Sequence, residues 1–596
     1  MEIIQANVDM EQKFYYTDER NVQIVISLLK ANGIRKIVAS PGTTNITFVG
    51  SVQQDPWFEI YSSVDERSAA YIACGLSAES GEPVVLTCTG ATASRNYYSG
   101  LTEAYYRKLP IVALTSHQGN YRIGHLIAQN IDRRKLPNDI VKLSVEAPII
   151  KDANDEKMCT IEVNKALLEL KHHGGGPVHI NLFTNYSKNF TVKELPPVRV
   201  IRRFTVFDSL PVFPKGKVAV FIGSHKKFTE QETGALDRFC GTHDAVVICD
   251  HTSGYKGKYL VQASLPFSQS QYNSPNKKYD LIVHIGEVSG DYSGMGVYGT
   301  SVWRVNEDGE LRDLWGRLTD VFEMPESHFF NHYAEEGKSL HSNYDACVAE
   351  LNQLYSEIPV LPFGNIWIAQ QMAKMLPEGS ELHLGILNTL RSWNFFEIPN
   401  SVDSNSNVGG FGIDGDISSL IGASLCNPNR IYIGIFGDLA FFYDMNVVGN
   451  RHVGNNVRIM LINNGCGTEF RNYNHPCHAF GENADPYMAA AGHYGNKSHN
   501  LVRHYAGDLG YEYITASCKE DFLESVQRFL TPEKTDKPIL FEVFTDSKDE
   551  SDAIELVNNF KVDTSTILTN KAKKVVKEII GDKGIEIIKK IVEMRN

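Results

Sequence analysis

Long apolar runs, paired cysteines and an excess of basic charge are all missing from this 596-residue chain. No stretch approaches the roughly 20 uninterrupted apolar residues that a membrane-spanning helix needs. Residues 1–20 are polar and hold no apolar segment of the kind a secretory leader carries, so the expected setting is the cytoplasm. The ten cysteines include no Cys-x-x-Cys spacing, so neither a zinc ribbon nor a redox dithiol is indicated, and a reducing compartment is the natural setting. A formal net charge of -13 argues against nucleic acid or an anionic membrane as a partner of the body of the protein, since both would be repelled. Between about residues 200 and 355 there is no glycine fingerprint with the acidic partner that dinucleotide binding requires. Gly294 and Gly296 are read as turn residues.

What remains is a long soluble chain, too long for one core, in which strand and helix patterns alternate. Residues 20 to about 190 read as a helix near Val22 to Asn32, a strand at Lys36 to Ala39, a helix at Ser68 to Ser80, and strands at Val84 to Thr87, Ile111 to Thr115 and Pro177 to Phe183. That alternation predicts a parallel sheet with helices on both faces. A connector with two prolines, Glu194 to Val198, follows. The pattern resumes with strands at Val218 to Ile222, Ala245 to Cys249 and Leu281 to Ile285, and again from about residue 360. The expected fold class is α/β, with three doubly wound domains over 1–192, 200–355 and 360–548. A basic helical tail is expected over 549–596. Lys571 to Asn596 holds eight basic and four acidic residues and apolar positions at helical spacing, broken by Gly581-Asp582-Lys583-Gly584. It is read as docking on the protein's own surface, with a membrane surface or a partner as alternatives.

The chemistry is concentrated in two places. Ile431 to Phe436 reads as a buried strand ending at Gly437-Asp438, Phe441 to Asn450 as a helix, and Val457 to Ile462 as a second strand running into Asn463-Asn464. Asn464 lies 26 residues after Asp438. In such a βαβ unit an Asp leaving one strand and an Asn leaving the next sit side by side at the carboxyl edge, where open α/β sheets bind ligands. A carboxylate, an amide oxygen and a nearby backbone carbonyl are hard oxygen ligands suited to Mg²⁺ that also holds a diphosphate. The second place is Glu66 in Val64-Asp65-Glu66-Arg67.

These motifs resemble the thiamine diphosphate-dependent enzymes, and within that family the menaquinone-pathway carboligases, which add decarboxylated 2-oxoglutarate to isochorismate. Ser40-Pro41-Gly42, Asp65-Glu66-Arg67, Glu103-Ala104, Gln129, Pro177 to Asn181, Gly412 to Gly415 and Gly437-Asp438-Leu439 carry the likeness, in the family's order. The resemblance implies thiamine diphosphate and Mg²⁺ as cofactors, with Asp438, Asn464 and the Cys466 carbonyl on the metal. It also implies Glu66 against the aminopyrimidine ring, Ile413 beneath the cofactor, and Gly437, Leu439, Ala440 and Gly467 around the diphosphate. Taken alone, Glu66 could equally cap the helix after it, and Ile413 could be a core residue.

The resemblance implies decarboxylation of a 2-oxoacid and transfer of the acyl unit to a carbonyl acceptor, by an obligate homodimer or homotetramer. The positions matching the family's substrate arginines are Thr44, Gln118, Trp393 and Val408. Four charge-assisted contacts, each worth about 1.5–3 kcal/mol, are thereby lost. Isochorismate and 2-oxoglutarate become poor candidates, and a short 2-oxoacid such as pyruvate with an aldehyde or keto-sugar fits better. Thr43, Thr44, Gln118, Arg391 and Trp393 are the candidate substrate contacts. Gln129 is expected to face the reacting carbon, and His117, His125 and Glu469 are candidates for proton transfer. A simple 2-oxoacid decarboxylase and a non-catalytic cofactor-binding scaffold remain as alternatives.

Overall fold

A computed structural model describes residues 15–134, 136–493 and 497–563. The expected tail helices from Lys571 onward lie outside the described residues. The chain divides into two compact units. One comprises the described residues up to Phe207 with Glu310–Val321; the other comprises Asp208–Gly309 with the described residues from Phe322 on.

The first unit is built on a six-stranded sheet in the order Glu59–Ser62, Lys36–Ala39, Val84–Thr89, Ile111–His117, Val178–Phe183, Ser144–Ala147. All its pairings are parallel. The central strands are buried at nearly every position, as expected of strands covered on both faces. Helix Glu66–Ser80 starts at Asp65, whose side chain accepts from the Arg67 N–H. It ends at Gly81, whose φ of 70° places it in the left-handed region. This helix and the helix Tyr98–Tyr106 are brought close by small residues: a Cβ on Gly100 would lie 2.4 Å from the Ala70 Cβ. That approach lets helix Tyr98–Tyr106 pack on helix Glu66–Ser80 and sets the position of its first residue, Glu66.

The second unit holds two further parallel arrays. One runs Leu260–Val261, Val246–Ile248, Val218–Ile222, Lys278–Ile285, Tyr298–Asn306. The other runs Asp403–Asn405, Glu381–Leu384, Tyr432–Gly437, Val457–Asn463, Ile539–Phe544, Glu512–Ala516. Each expected strand is present within a few residues of its expected ends. Gly294–Gly296 forms a short 3-10 turn. Among the described residues no helix is long and apolar enough to cross a membrane.

Two expectations need correction. The helix after Gly437 begins at Asp438 and passes at Met445 into a 3-10 segment, instead of starting at Phe441. Helix Ser547–Asn559 is no tail: Ala553 and Val557 belong to the same buried cluster as Ile539 and Phe541. Its Glu550 carboxylate accepts the Asn365 N–H at 2.9 Å and the Thr545 hydroxyl at 2.9 Å.

Burial pushes the Glu550 carboxyl up to about 7. A folded-state value above the unfolded one means that stability is lost as pH rises from about 4.5 through 7. Glu550→Gln is therefore expected to gain on the parent by on the order of 3 kcal/mol between pH 5 and pH 8, read from urea unfolding at both pH values. Ile433, fully buried in the strand Tyr432–Gly437, is expected to cost about 2–5 kcal/mol on replacement by Ala in the same assay.

Candidate active site

Gly437 pairs with Ile462 across two parallel strands. Asp438 and Asn463 therefore leave the sheet next to one another. Asp438 is 4% exposed, and its carboxylate ties the two strand ends together: Oδ1 accepts the Leu439 N–H at 2.7 Å and Oδ2 the Gly465 N–H at 2.6 Å. Burial raises this carboxyl to about 6, partly opposed by the N–H groups it accepts. The two asparagines divide their work by strand alternation. Asn463 turns into the protein and donates to Glu542 Oε1 at 2.8 Å. Asn464 stays at the edge, its Oδ1 held among the described residues only by a long 3.3 Å bond from the Cys466 N–H.

This edge fits a divalent cation. It offers a desolvated carboxylate beside an amide oxygen, and a Cβ built on Gly437 would meet nothing within 4 Å. The Gly467 N–H is taken by the Ala489 carbonyl at 2.6 Å, and a Cβ built on it would lie 3.1 Å from Phe470 and 3.2 Å from Leu439. The Cys466 thiol is buried, raised by that burial, and lies 3.9 Å from the Thr468 hydroxyl, so its chemistry is spent on packing. Leu439 is half-buried and Ala440 buried at the start of the helix. The Leu439 N–H is already engaged by Asp438, which leaves it less free for a diphosphate oxygen than the sequence suggests.

Ile413 is half-buried and packs against both apolar clusters of this sheet. Two neighbouring loops hold non-glycine residues at positive φ, Phe411 at 57° and Leu387 at 70°. Backbone in that region is uncommon and concentrates where a ligand is cradled. Asp416, not anticipated, is buried just past the glycine loop. It accepts the Ile386 N–H at 3.3 Å and is raised by burial to about 6. Its only sequence signal was the helix start after Gly415.

In the first unit, Glu66 is the first residue of its helix and half-exposed. Asp65, not Glu66, makes the cap, and among the described residues the one side-chain partner of Glu66 is Asn96 at 3.4 Å. Thr43 is exposed; Thr44 is buried and donates to the Ser116 carbonyl at 2.7 Å. Gln118 accepts from Arg122. Gln129 and His125 are exposed on the same long loop, with Gln129 at φ 64°.

His117 does not match the expected proton shuttle. It is 4% exposed, with Nδ1 accepting the Gly119 N–H at 3.2 Å and Nε2 2.9 Å from the Asn181 amide. Burial and then the charge of Arg133 lower it to about 3, so it stays neutral and holds the loop in place. Arg133 itself is 3% exposed and donates to Asn181 Oδ1 at 2.6 Å. Nothing in the sequence run Asp132-Arg133-Arg134 marked it as buried.

Arg391 and Glu469, read separately as an anion holder and an acid-base group, hold each other. Arg391 Nη1 lies 2.6 Å from both Glu469 oxygens, and its guanidinium sits 4.8 Å over the Tyr292 ring. The charge of each is compensated. Trp393 is fully buried in the core, and its carbonyl accepts from His251 Nε2 at 2.9 Å, so it is a packing residue and not an open substrate contact.

Residues 20–136 match the model of the thiamine pyrophosphate enzyme N-terminal TPP binding domain. The chain is 30% identical over 573 residues to the 2-succinyl-5-enolpyruvyl-6-hydroxy-3-cyclohexene-1-carboxylate synthase of Phocaeicola vulgatus, covering 90% of this chain and 97% of that protein. The enzymes of the same name from Bacteroides thetaiotaomicron and Bacteroides fragilis are 30% and 28% identical, each over 90% of this chain and 98% of the relative. The chain belongs to the thiamine diphosphate-dependent enzymes. As such it is an enzyme of the carboligase or decarboxylase kind, and its three sheets are the α/β architecture of that family.

Arg391→Met removes one partner of a largely buried ion pair and leaves Glu469 uncompensated. The expected cost is about 1–3 kcal/mol, read from the urea midpoint. Arg391→Met combined with Glu469→Leu is expected to recover most of it.

Proposed function

We propose that this enzyme uses thiamine diphosphate and Mg²⁺ to decarboxylate a short 2-oxoacid and join its acyl unit to an uncharged or weakly charged carbonyl acceptor. The observation that carries the reading is the buried Asp438 carboxylate spanning the ends of two parallel strands beside Asn464. Asp438, Asn464 and the Cys466 carbonyl would hold the metal. Gly437, Ala440 and Gly467 would border the diphosphate, and Ile413 would support the thiazolium. When bound, the cofactor supplies the electron sink that decarboxylation of a 2-oxoacid requires.

The chain's own part is positioning and proton control. Glu66, with one weak partner, has a carboxyl free to hydrogen-bond an aminopyrimidine nitrogen. Gln129, exposed on its loop, offers an amide toward substrate. The substrate assignment rests on charge. Thr44 and Gln118 carry none, Val408 and Trp393 are buried and apolar, and Arg391 is neutralised by Glu469. A multiply anionic pair such as isochorismate and 2-oxoglutarate would find few matching cations there, which distinguishes this chain from what its relatives are named for. Homodimer or homotetramer assembly, cytoplasmic location, and domains at 1–192, 200–355 and 360 to about 560 complete the reading.

Glu66→Gln tests it. The variant is expected to bind thiamine diphosphate with Mg²⁺ as the parent does, by quenching of intrinsic fluorescence, while 2-oxoacid turnover falls by roughly 10²–10⁴-fold. Undiminished turnover would remove Glu66 from the mechanism, and absence of saturable cofactor uptake by the parent would remove the reading altogether. Product analysis with pyruvate, with and without an aldehyde acceptor, decides ligation against simple decarboxylation. A panel including 2-oxoglutarate with isochorismate decides the charge argument.

A further inference from the structure

The larger unit contains a polar cavity of about 280 Å³ that shares no lining residue with the Asp438 edge. It opens where the chain leaves strands Val218–Ile222 and Val246–Ile248, the carboxyl edge of the middle sheet, which is where open parallel sheets bind ligands. Its walls are the loop at Lys226 and Lys227, the loop Gly254 to Gly257, and the segment 397–405.

Most charges around it are paired within the protein. Lys226 meets Glu232 at 3.0 Å, and Lys227 meets Asp403 at 2.5 Å, a carboxylate that Arg430 shares. Lys256 is different. It lines the cavity half-buried, with no ion pair or hydrogen bond among the described residues. Burial lowers its pKa below the usual lysine range. The charge of Asp403 offsets that burial only in part and makes no ion pair with the ammonium, and a bound anion would relieve the remaining cost.

The loop that carries Lys256 is shaped for close approach. Gly254 has φ 67°, and a Cβ there would lie 2.5 Å from the Lys226 carbonyl, so only glycine lets the two lysine loops meet. The backbone N–H groups of residues Gly254 to Gly257 find no acceptor among the described residues. Successive free N–H groups beside an unpaired lysine suit phosphate oxygens. Across the cavity the Glu397 carboxylate and the Tyr344 hydroxyl are likewise without hydrogen-bond partners among the described residues, which suits the hydroxyls of a polar body.

We propose that this cavity binds a small phosphate monoester with a hydroxylated body. Lys256 and the Gly254 to Gly257 loop take the phosphate, and Glu397 and Tyr344 take the hydroxyl groups. A nucleoside monophosphate and a sugar phosphate share this chemistry.

Isothermal titration of the full-length protein, with thiamine diphosphate and Mg²⁺ saturating so that any diphosphate site is filled, separates them. AMP, ribose 5-phosphate and inorganic phosphate are the three probes. At least one ester is expected to bind saturably and more tightly than inorganic phosphate, and the tighter ester identifies the body. Lys256→Met is expected to weaken that ester by roughly 10- to 100-fold, and Lys256→Arg to retain most of the affinity. Glu397→Gln is expected to weaken the ester while leaving inorganic phosphate unchanged, which a merely unfolded variant could not do. Saturable binding by none of the three, or ester affinity unaltered in Lys256→Met, would overturn the proposal. Because the readout is binding, its failure is separate from any failure of turnover.

Discussion

A carboxylate kept from water at the end of a parallel strand must be matched by donors or by a cation, and the geometry around Asp438 follows from that demand. Both of its oxygens are met by backbone N–H groups, one from its own helix and one from Gly465 on the neighbouring strand's exit. Those bonds fix how the two exits lie relative to each other, and so place Asn464 and Cys466. They leave the carboxyl raised to about 6, which is the signature of incomplete compensation. In the proposed reading a divalent cation would complete the match, and the strand Tyr432–Gly437, buried on both faces, would supply the rigidity that holds its ligands in register.

The legible part of this protein was the part written in periodicity and punctuation. Buried strands such as Val84–Thr89 and Val457–Asn463 are continuous apolar runs, and runs of that kind declare themselves. Asp438 and Asn464 were legible because each stands immediately after such a run, so their edge position needed no knowledge of packing. The start of the helix at Asp438 was less so, since Gly437 supplies no capping side chain to mark it. The helix Ser547–Asn559 was misassigned for a related reason. Its polar residues outnumber the buried apolar ones, Ala553 and Val557, that decide its place.

Side-chain pairing was the illegible part. Arg391 and Glu469 are 78 residues apart and close a bidentate pair. Either residue alone, read from sequence, invites a role in catalysis. His117 invited one for the same reason, and its burial beside Arg133 withdraws it. Which member of Asn463-Asn464 faces the edge was set by strand alternation, but confirming it required Glu542 on a strand nearly eighty residues later. Burial of a charged group depends on what the chain brings over it, and no local pattern encodes that.

The same reasoning separates the two sheets of the larger unit. Both end their central strands in polar loops, yet the charges differ in kind. At the Asp438 edge the buried group is a carboxylate that two backbone N–H groups compensate only in part, so the proposed partner is a cation. At the middle sheet it is the Lys256 ammonium, lowered by burial and only partly offset by Asp403, so the proposed partner is an anion. The two edges are joined through Asp403, which Lys227 holds from the cavity side and Arg430 from the sheet side. From Asp403–Asn405 the chain runs within a few residues into Phe411 to Gly415, the loop that carries Ile413.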